Sequence, residues 1–294
     1  MRKIHTLLLF AAASLAATAQ RTFPTSLPIQ QDNVEWQRDV YRVIDLRDGH
    51  NAGLGASNIP NLFTILFGMA VEGDVPVYQF LLSGNETFGE QELADIRDIL
   101  VNNEIPFRVV QGKTIVSEED IPTTEVTMFY LKEAVAYDKA SGTFRTRVRA
   151  LCPVLEREDD FADRARYPLF WVRYDDAEPM LAAFPVHCDN YNQAHVTSAA
   201  DYFAAGLYQG DIYKVYNAQG LTLAQYCATD SLLAVEQQKV ERQLADVRRS
   251  TYDTTASDTL TVKDDARKGA TTAVPVIKRP RRVHFLGRKN DNKR

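Results

Sequence analysis

Two apolar-rich runs joined by a short polar turn constrain this chain more than any other feature. Val126 to Tyr137 and Phe144 to Val154 flank Asp138-Lys139-Ala140-Ser141-Gly142, the pattern of a long β-hairpin. The second run alternates with period two. Phe144, Thr146, Val148, Ala150 and Cys152 are expected on one side, and Arg145, Arg147 and Arg149 on the other. Like charges on one strand face repel, so this arginine row suits an exposed, ion-paired or partner-facing surface. Glu133 and Asp138 on the first run are positioned to neutralise part of it.

The remaining elements alternate in type around this hairpin. Trp36, Val40, Val43 and Ile44 recur at helical spacing, so Trp36 to Arg47 reads as an amphipathic helix, with Asp32 and Glu35 as a capping box. Asp48-Gly49-His50-Asn51 ends it. Asn58 and Pro60 open a second helix through Leu62, Phe63, Leu66, Phe67 and Ala70, which Gly73 closes. Strands are expected at Val75 to Leu82, at Phe107 to Val116 with a turn at Gln111-Gly112-Lys113, and at Pro168 to Tyr174. A helix covers Glu90 to Val101, another Ser198 to Leu207, and a strand Asp211 to Tyr216. Leu221 to Cys227 is helical. A longer helix runs from about Asp230 to Arg249, with Leu233, Val240, Leu244 and Val247 as a stripe that docks on its own domain. The fold class is therefore α+β: a single mixed α/β body with a mainly antiparallel sheet and flanking helices.

The ends differ from this body. Arg2 and Lys3 precede the apolar run Leu7 to Ala13 and the small-x-small triplet Ala17-Thr18-Ala19. That is an export signal over residues 1–19, with cleavage between Ala19 and Gln20. An extended lead-in, 20–31, carries Pro24 and Pro28. The body spans 32–253. Charge changes sign after it: residues 21–253 hold 21 Lys and Arg against 35 Asp and Glu, whereas 254–294 hold 11 against 4. The tail has few large apolar residues, and its composition is that of a disordered, basic segment. An acidic body and an exported chain both argue against a nucleic-acid partner.

Nothing in the residues forms a recognised catalytic set. Of the mature chain's histidines, His50, His187, His195 and His284, none lies in a His-Glu-x-x-His pattern, and there is no P-loop or Gly-x-Ser-x-Gly. His187 and Cys188 are neighbours, but adjacent side chains usually diverge. Glu156, Glu158, Asp159 and Asp160 lack the glycine of a calcium loop and read as a solvated charged segment before Asp163, Arg164 and Arg166. Cys152, Cys188 and Cys227 leave one cysteine over under any pairing. Either Cys152 and Cys188 form a bridge, or all three are small buried residues. No catalytic, cofactor or metal residue is assigned. The interface candidates are Arg145, Arg147, Arg149, Trp171 and Tyr174, since Arg and aromatic residues are enriched where proteins meet.

Several blocks together resemble the GldN/PorN family of gliding-motility and type IX secretion proteins. They are Trp36-x-x-x-Val40-x-Arg42-Val43-Ile44-Asp45-Leu46-Arg47, then Leu151-Cys152-Pro153-Val154, then Pro168-Leu169-Phe170-Trp171-Val172-x-Tyr174 with Pro179 and Leu181 beyond it. Asp201-Tyr202-Phe203 and Ile212-Tyr213-Lys214-Val215-Tyr216-Asn217 match it as well. The resemblance spans roughly Trp36 to Asp253. Where the family carries an aromatic-rich segment after the Leu-Arg motif, Asn51 to Ser57 is small and glycine-rich, and the basic tail has no counterpart. The resemblance implies a periplasmic structural protein, peripheral to the outer membrane. It would form a ring of copies with a GldK/PorK-like lipoprotein and meet a GldM/PorM-like motor component, its membrane association being indirect. It implies no enzyme activity and no cofactor. The alternative is an exported enzyme or small-ligand-binding protein without a recognised motif, which a pocket of convergent polar groups would favour.

Overall fold

A computed structural model describes residues 34–55, 60–139, 142–158, 164–187 and 196–260. The signal, the lead-in, Cys188, His195, Asp159, Asp160, Asp163 and the chain beyond 260 lie outside them. The strands are β1 (Val34–Asp45), β2 (Val77–Tyr78), β3 (Arg108–Val110), β4 (Lys113–Ile115), β5 (Val126–Asp138), β6 (Thr143–Glu158), β7 (Arg164–Pro168), β8 (Trp171–Arg173), β9 (Pro185–His187), β10 (Val196–Ser198) and β11 (Asp211–Val215). The helices are α1 (Leu62–Glu72), α2 (Ile96–Asn102), α3 (Tyr174–Ala183), α4 (Ala199–Ala204), α5 (Leu223–Tyr226) and α6 (Asp230–Leu260). The main sheet runs β11-β1-β5-β6-β8-β2, with β7 on the far end of β6, and all its pairings are antiparallel. The chain divides into two compact units, Met1–Tyr252 and Asp253–Arg294.

The β5–β6 hairpin is the centre of the sheet, as the alternation and turn predict. The segment Trp36 to Arg47 is not a helix. It forms β1, paired with β5 from Val34 to Asp45. The physical reason lies in the spacing. Trp36, Val40 and Ile44 are four apart, which fits one face of a helix but is also an even number, so it fits one face of a strand. Tyr41 on the other face is equally buried, and Val, Ile and Tyr favour extended backbone.

Bulges correct a second expectation. Glu133 pairs with Val148 and Lys132 with Ala150, which leaves Arg149 opposite no residue of β5. The side chains of β6 therefore change faces there. Val148 joins Leu151 in the helix-covered core, whereas Ala150 and Cys152 join Tyr41 and Trp171 on the opposite face.

Other boundaries shift for local reasons. α1 starts at Leu62 because Asn61 caps it, accepting from the Thr64 amide while Thr64 reaches back to the Asn61 amide. Gly73 closes it with φ +81°. Glu90 to Val101 divides into a 3-10 turn at Glu90–Glu92 and α2, capped by Asp95. Phe107 to Val116 is the small hairpin β3–β4, whose turn residues Gln111 and Gly112 both have positive φ. The strand expected from Val75 to Leu82 shrinks to β2. Pro168 to Tyr174 splits between β7 and β8, and Tyr174 begins α3. α6 continues past Arg249 to Leu260, so residues 254–260 belong to a helix, and no Gly or Pro interrupts that stretch.

Three apolar clusters hold the sheet. On one face Ile44, Phe129, Leu131, Leu151 and Val172 meet α1 through Phe63 and Phe67, α3 through Leu181, and α4 through Phe203. On the same face Val40, Val135 and Ile212 meet Val240 and Leu244 of α6, the stripe expected to dock on its own domain. Burying each such side chain contributes about 1.5–3 kcal/mol. The third cluster, on the opposite face, is aromatic: Tyr41, Tyr78 and Trp171, flanked by Phe80, Phe88, Tyr130 and Tyr213.

Candidate functional site

The aromatic face is covered by the segment from Gln79 to Gly89, and charge holds that cover down. Glu86, Lys132 and Lys214 are 2%, 7% and 2% exposed. Lys132 donates from Nζ to the Glu86 carbonyl at 2.6 Å, and Lys214 donates to the Gly84 carbonyl at 2.5 Å. The Glu86 carboxylate lies 3.3 Å from Lys214 Nζ, and Asp39 lies 3.4 Å from Lys132 Nζ. Both ammonium groups also face aromatic rings, Lys214 at 4.5 Å from the Tyr41 centroid and Lys132 at 5.2 Å from that of Phe88. The carboxylate of Glu92 accepts from the Thr87 and Phe88 amides and from the Thr87 hydroxyl, which supports Phe88 at φ +57°.

The charged groups of this constellation are buried and paired. Burial lowers the pKa of Lys214, with the carboxylate of Glu86 pulling it partly back. Burial also pushes the Cys152 thiol well above its ordinary value, which keeps it protonated and a poor nucleophile. Cys152 is a free thiol, so the Cys152–Cys188 bridge does not form. Cys152 packs in the aromatic cluster with Trp171, and Cys188, the candidate partner, lies outside the described residues. The chemistry available is that of a clamp. The sequence blocks Ile212 to Asn217 and Trp36 to Arg47 supplied Lys214, Asp39 and Tyr41. Without the strand assignment of β1, their convergence on one face was not readable.

The structure separates the five interface candidates. Trp171 and Tyr174 are inside the chain, 0% and 4% exposed. Trp171 packs edge-on to Tyr41 and Phe88, and the Tyr174 hydroxyl donates to the Ala200 carbonyl. Their rings are used by the core, because their strand and helix lie against covered faces. The arginine row is divided by the bulge. Arg145 pairs with Asp138 at 3.7 Å, and Arg147 with Asp175 at 2.8 Å and Glu178 at 3.8 Å on α3. Arg149 is exposed. Glu133, expected to neutralise the row, instead holds Arg42.

Arg42 is the hub of a second polar cluster. It donates to Glu133 at 3.0 Å, to Glu241 of α6 at 2.5 Å and to the Gly210 carbonyl at 2.6 Å. Burial alone would lower its pKa, but the two carboxylates outweigh this and raise it. It borders an open cleft of about 830 Å³, shared with Asp45, Asp48, Thr146, Arg166 and Asp211. Glu156, expected in a solvated loop, sits on β6 and pairs with Arg47 at 2.9 Å. A second open cleft of about 860 Å³ lies between the end of α1, the start of α2 and β4. His50 lies in the turn after β1 and His187 on β9, both exposed. Among the described residues no cluster of three or more His, Cys, Asp or Glu is placed to hold a metal. No described helix is long and apolar enough to cross a membrane.

Comparison with known families places this geometry. The family profile of the gliding motility associated protein GldN matches residues 29–253, from just before β1 into α6. No curated protein matches the chain.

Proposed function

The chain belongs to the GldN family of gliding-motility and type IX secretion components, and from that premise we propose that it is a non-catalytic ring protein of this machinery in the periplasm. In this reading the export signal is cleaved between Ala19 and Gln20. The mature protein then assembles, copy against copy, with a GldK/PorK-like lipoprotein that ties it to the outer membrane. A GldM/PorM-like motor component meets the ring from the inner membrane.

The observation that carries the proposal is the extent of the family match, which takes in nearly the whole of β1 to α6 rather than one motif. The site chemistry supports it. The buried ionic groups brace the fold, and the neighbouring Cys152 thiol is buried, with its pKa raised by that burial. Of the arginine row, Arg149 carries the interface role, since Arg147 is taken up by α3. The test is affinity capture of the tagged, full-length protein from detergent-solubilised envelopes, with the bound proteins identified by mass spectrometry. Recovery of the lipoprotein and the motor component at stoichiometric levels is expected. Capture of neither would remove the assembly reading and leave the exported-enzyme alternative.

A further inference from the structure

We propose that residues 79–89 are a strap, a built-in and displaceable occupant of the aromatic face. When the strap opens, a partner's extended segment bearing an aromatic residue and a carboxylate takes its place.

The strap is tied on by side chains alone. Residues 80–88 form neither helix nor strand, and among the described residues none of them makes a backbone-to-backbone hydrogen bond. Instead, Lys214 and Lys132 donate to the Gly84 and Glu86 carbonyls, and the Asn85 amide donates to the Asn217 carbonyl at 2.7 Å. Phe80 stacks on the Trp171 ring at 6.4 Å between centroids, and Phe88 meets Tyr78 edge-on at 5.4 Å. Between these two rings the strap buries little, since Leu82 is 84% exposed. A segment with few backbone bonds and little buried apolar area opens locally far more easily than a central hairpin.

The closed state is also imperfect. Trp171 Nε1 and Asn85 Oδ1 are buried without a hydrogen-bond partner. Phe88 holds φ at +57°, which a bulky residue rarely adopts. The middle of the strap presses on Gly220, where an added Cβ would stand 2.2 Å from the Gly84 Cα. Unmatched polar groups and backbone strain both raise the free energy of the closed form, and opening relieves them.

The strap's own chemistry defines what replaces it. It gives the face two rings, a carboxylate for Lys214 and two main-chain carbonyls for the ammonium groups. Any extended segment has such carbonyls, so the ring and the acid carry the selectivity. A partner segment that also sets an acceptor at Trp171 Nε1 gains a hydrogen bond that the strap lacks.

The test uses the full-length protein, amide hydrogen exchange, and a fluorescent synthetic peptide of residues 79–90 as the probe, followed by anisotropy. In the wild type the amides of residues 80–88 are expected to exchange at least about a hundredfold faster than those of β5. Gly220→Ala pushes on Gly84. It is expected to speed strap exchange by about tenfold and to tighten peptide binding by a similar factor, because the competent state is then more populated. Gly206→Ala is the control. That glycine also has positive φ, +63°, but a Cβ there meets nothing within 4 Å, so both readouts should match the wild type. Asn85→Ala cuts the tie to Asn217 and makes the same comparison should Gly220→Ala not fold. A peptide carrying Glu86→Lys should bind about tenfold more weakly. Strap amides that exchange no faster than those of β5 overturn the proposal. So does a strap that opens while the peptide fails to bind, or binds the loosened variant and the wild type alike. Neither readout involves the lipoprotein, so failure here leaves the ring reading standing.

Discussion

Glu86 and Lys214 show how a polar pair can set a fold without doing chemistry. Each is nearly inaccessible; Glu86 belongs to the cover over the aromatic face, and Lys214 holds that cover through Glu86 and the Gly84 carbonyl. Removing one partner leaves the other buried and uncompensated, which costs about 3–5 kcal/mol. Lys214→Met is therefore expected to lower unfolding stability by about that amount in urea melts. Glu86→Gln added to it should cost clearly less than the sum of the two single changes. Additive effects would mean the pair is not coupled. The arginines of β6 divide in the same way. Arg147→Glu places a third negative charge beside Asp175 and Glu178 and should lower the melting temperature. Arg149→Glu should leave it nearly unchanged while reducing the high-mass complex, since the side chain is exposed on the bulge. An unchanged complex would remove Arg149 from the interface. Read from sequence, Arg145, Arg147 and Arg149 are equivalent. They differ because the register slip at Lys132 and Glu133 is set by strand pairing, which no local pattern records.

At the scale of elements, the sequence was most legible where one period dominated. The β5–β6 hairpin, the Gly73 stop of α1 and the docking stripe of α6 all follow from spacing and turn chemistry. It was least legible where two periods coincide. Trp36, Val40 and Ile44 satisfy helix and strand together, and only the burial of Tyr41 on the far face decides for the strand. α3 was hidden for another reason: Pro179 lies inside it, and the apolar run before it reads as a continuous strand. The consequence reached the candidate site. With β8 and α3 unresolved from one another, Trp171 and Tyr174 read as surface anchors rather than core. The docking of α6 gives its own prediction. Val240→Ala and Leu244→Ala each empty a buried position against β1 and β11, and each should cost about 2–4 kcal/mol. The helix would then be expected to gain protease sensitivity before the hairpin does. Equal sensitivity throughout would show that α6 and the sheet unfold as one unit.

For the whole molecule, the account is of an acidic, α+β body whose ionic groups brace the fold and whose surface is free for assembly. Membership of the GldN family gives that surface a setting in the gliding and type IX secretion machinery. The measurement that tests the central claim most directly is the mass of the purified assembly. Full-length protein co-expressed with the proposed lipoprotein partner would be extracted in detergent and run on a sizing column with light-scattering detection. The account predicts a complex of many copies in which both proteins are present in fixed ratio, more resistant to low than to high salt when Arg149 is intact. A protein that elutes as a lone monomer, with the lipoprotein present and both chains folded, would contradict it.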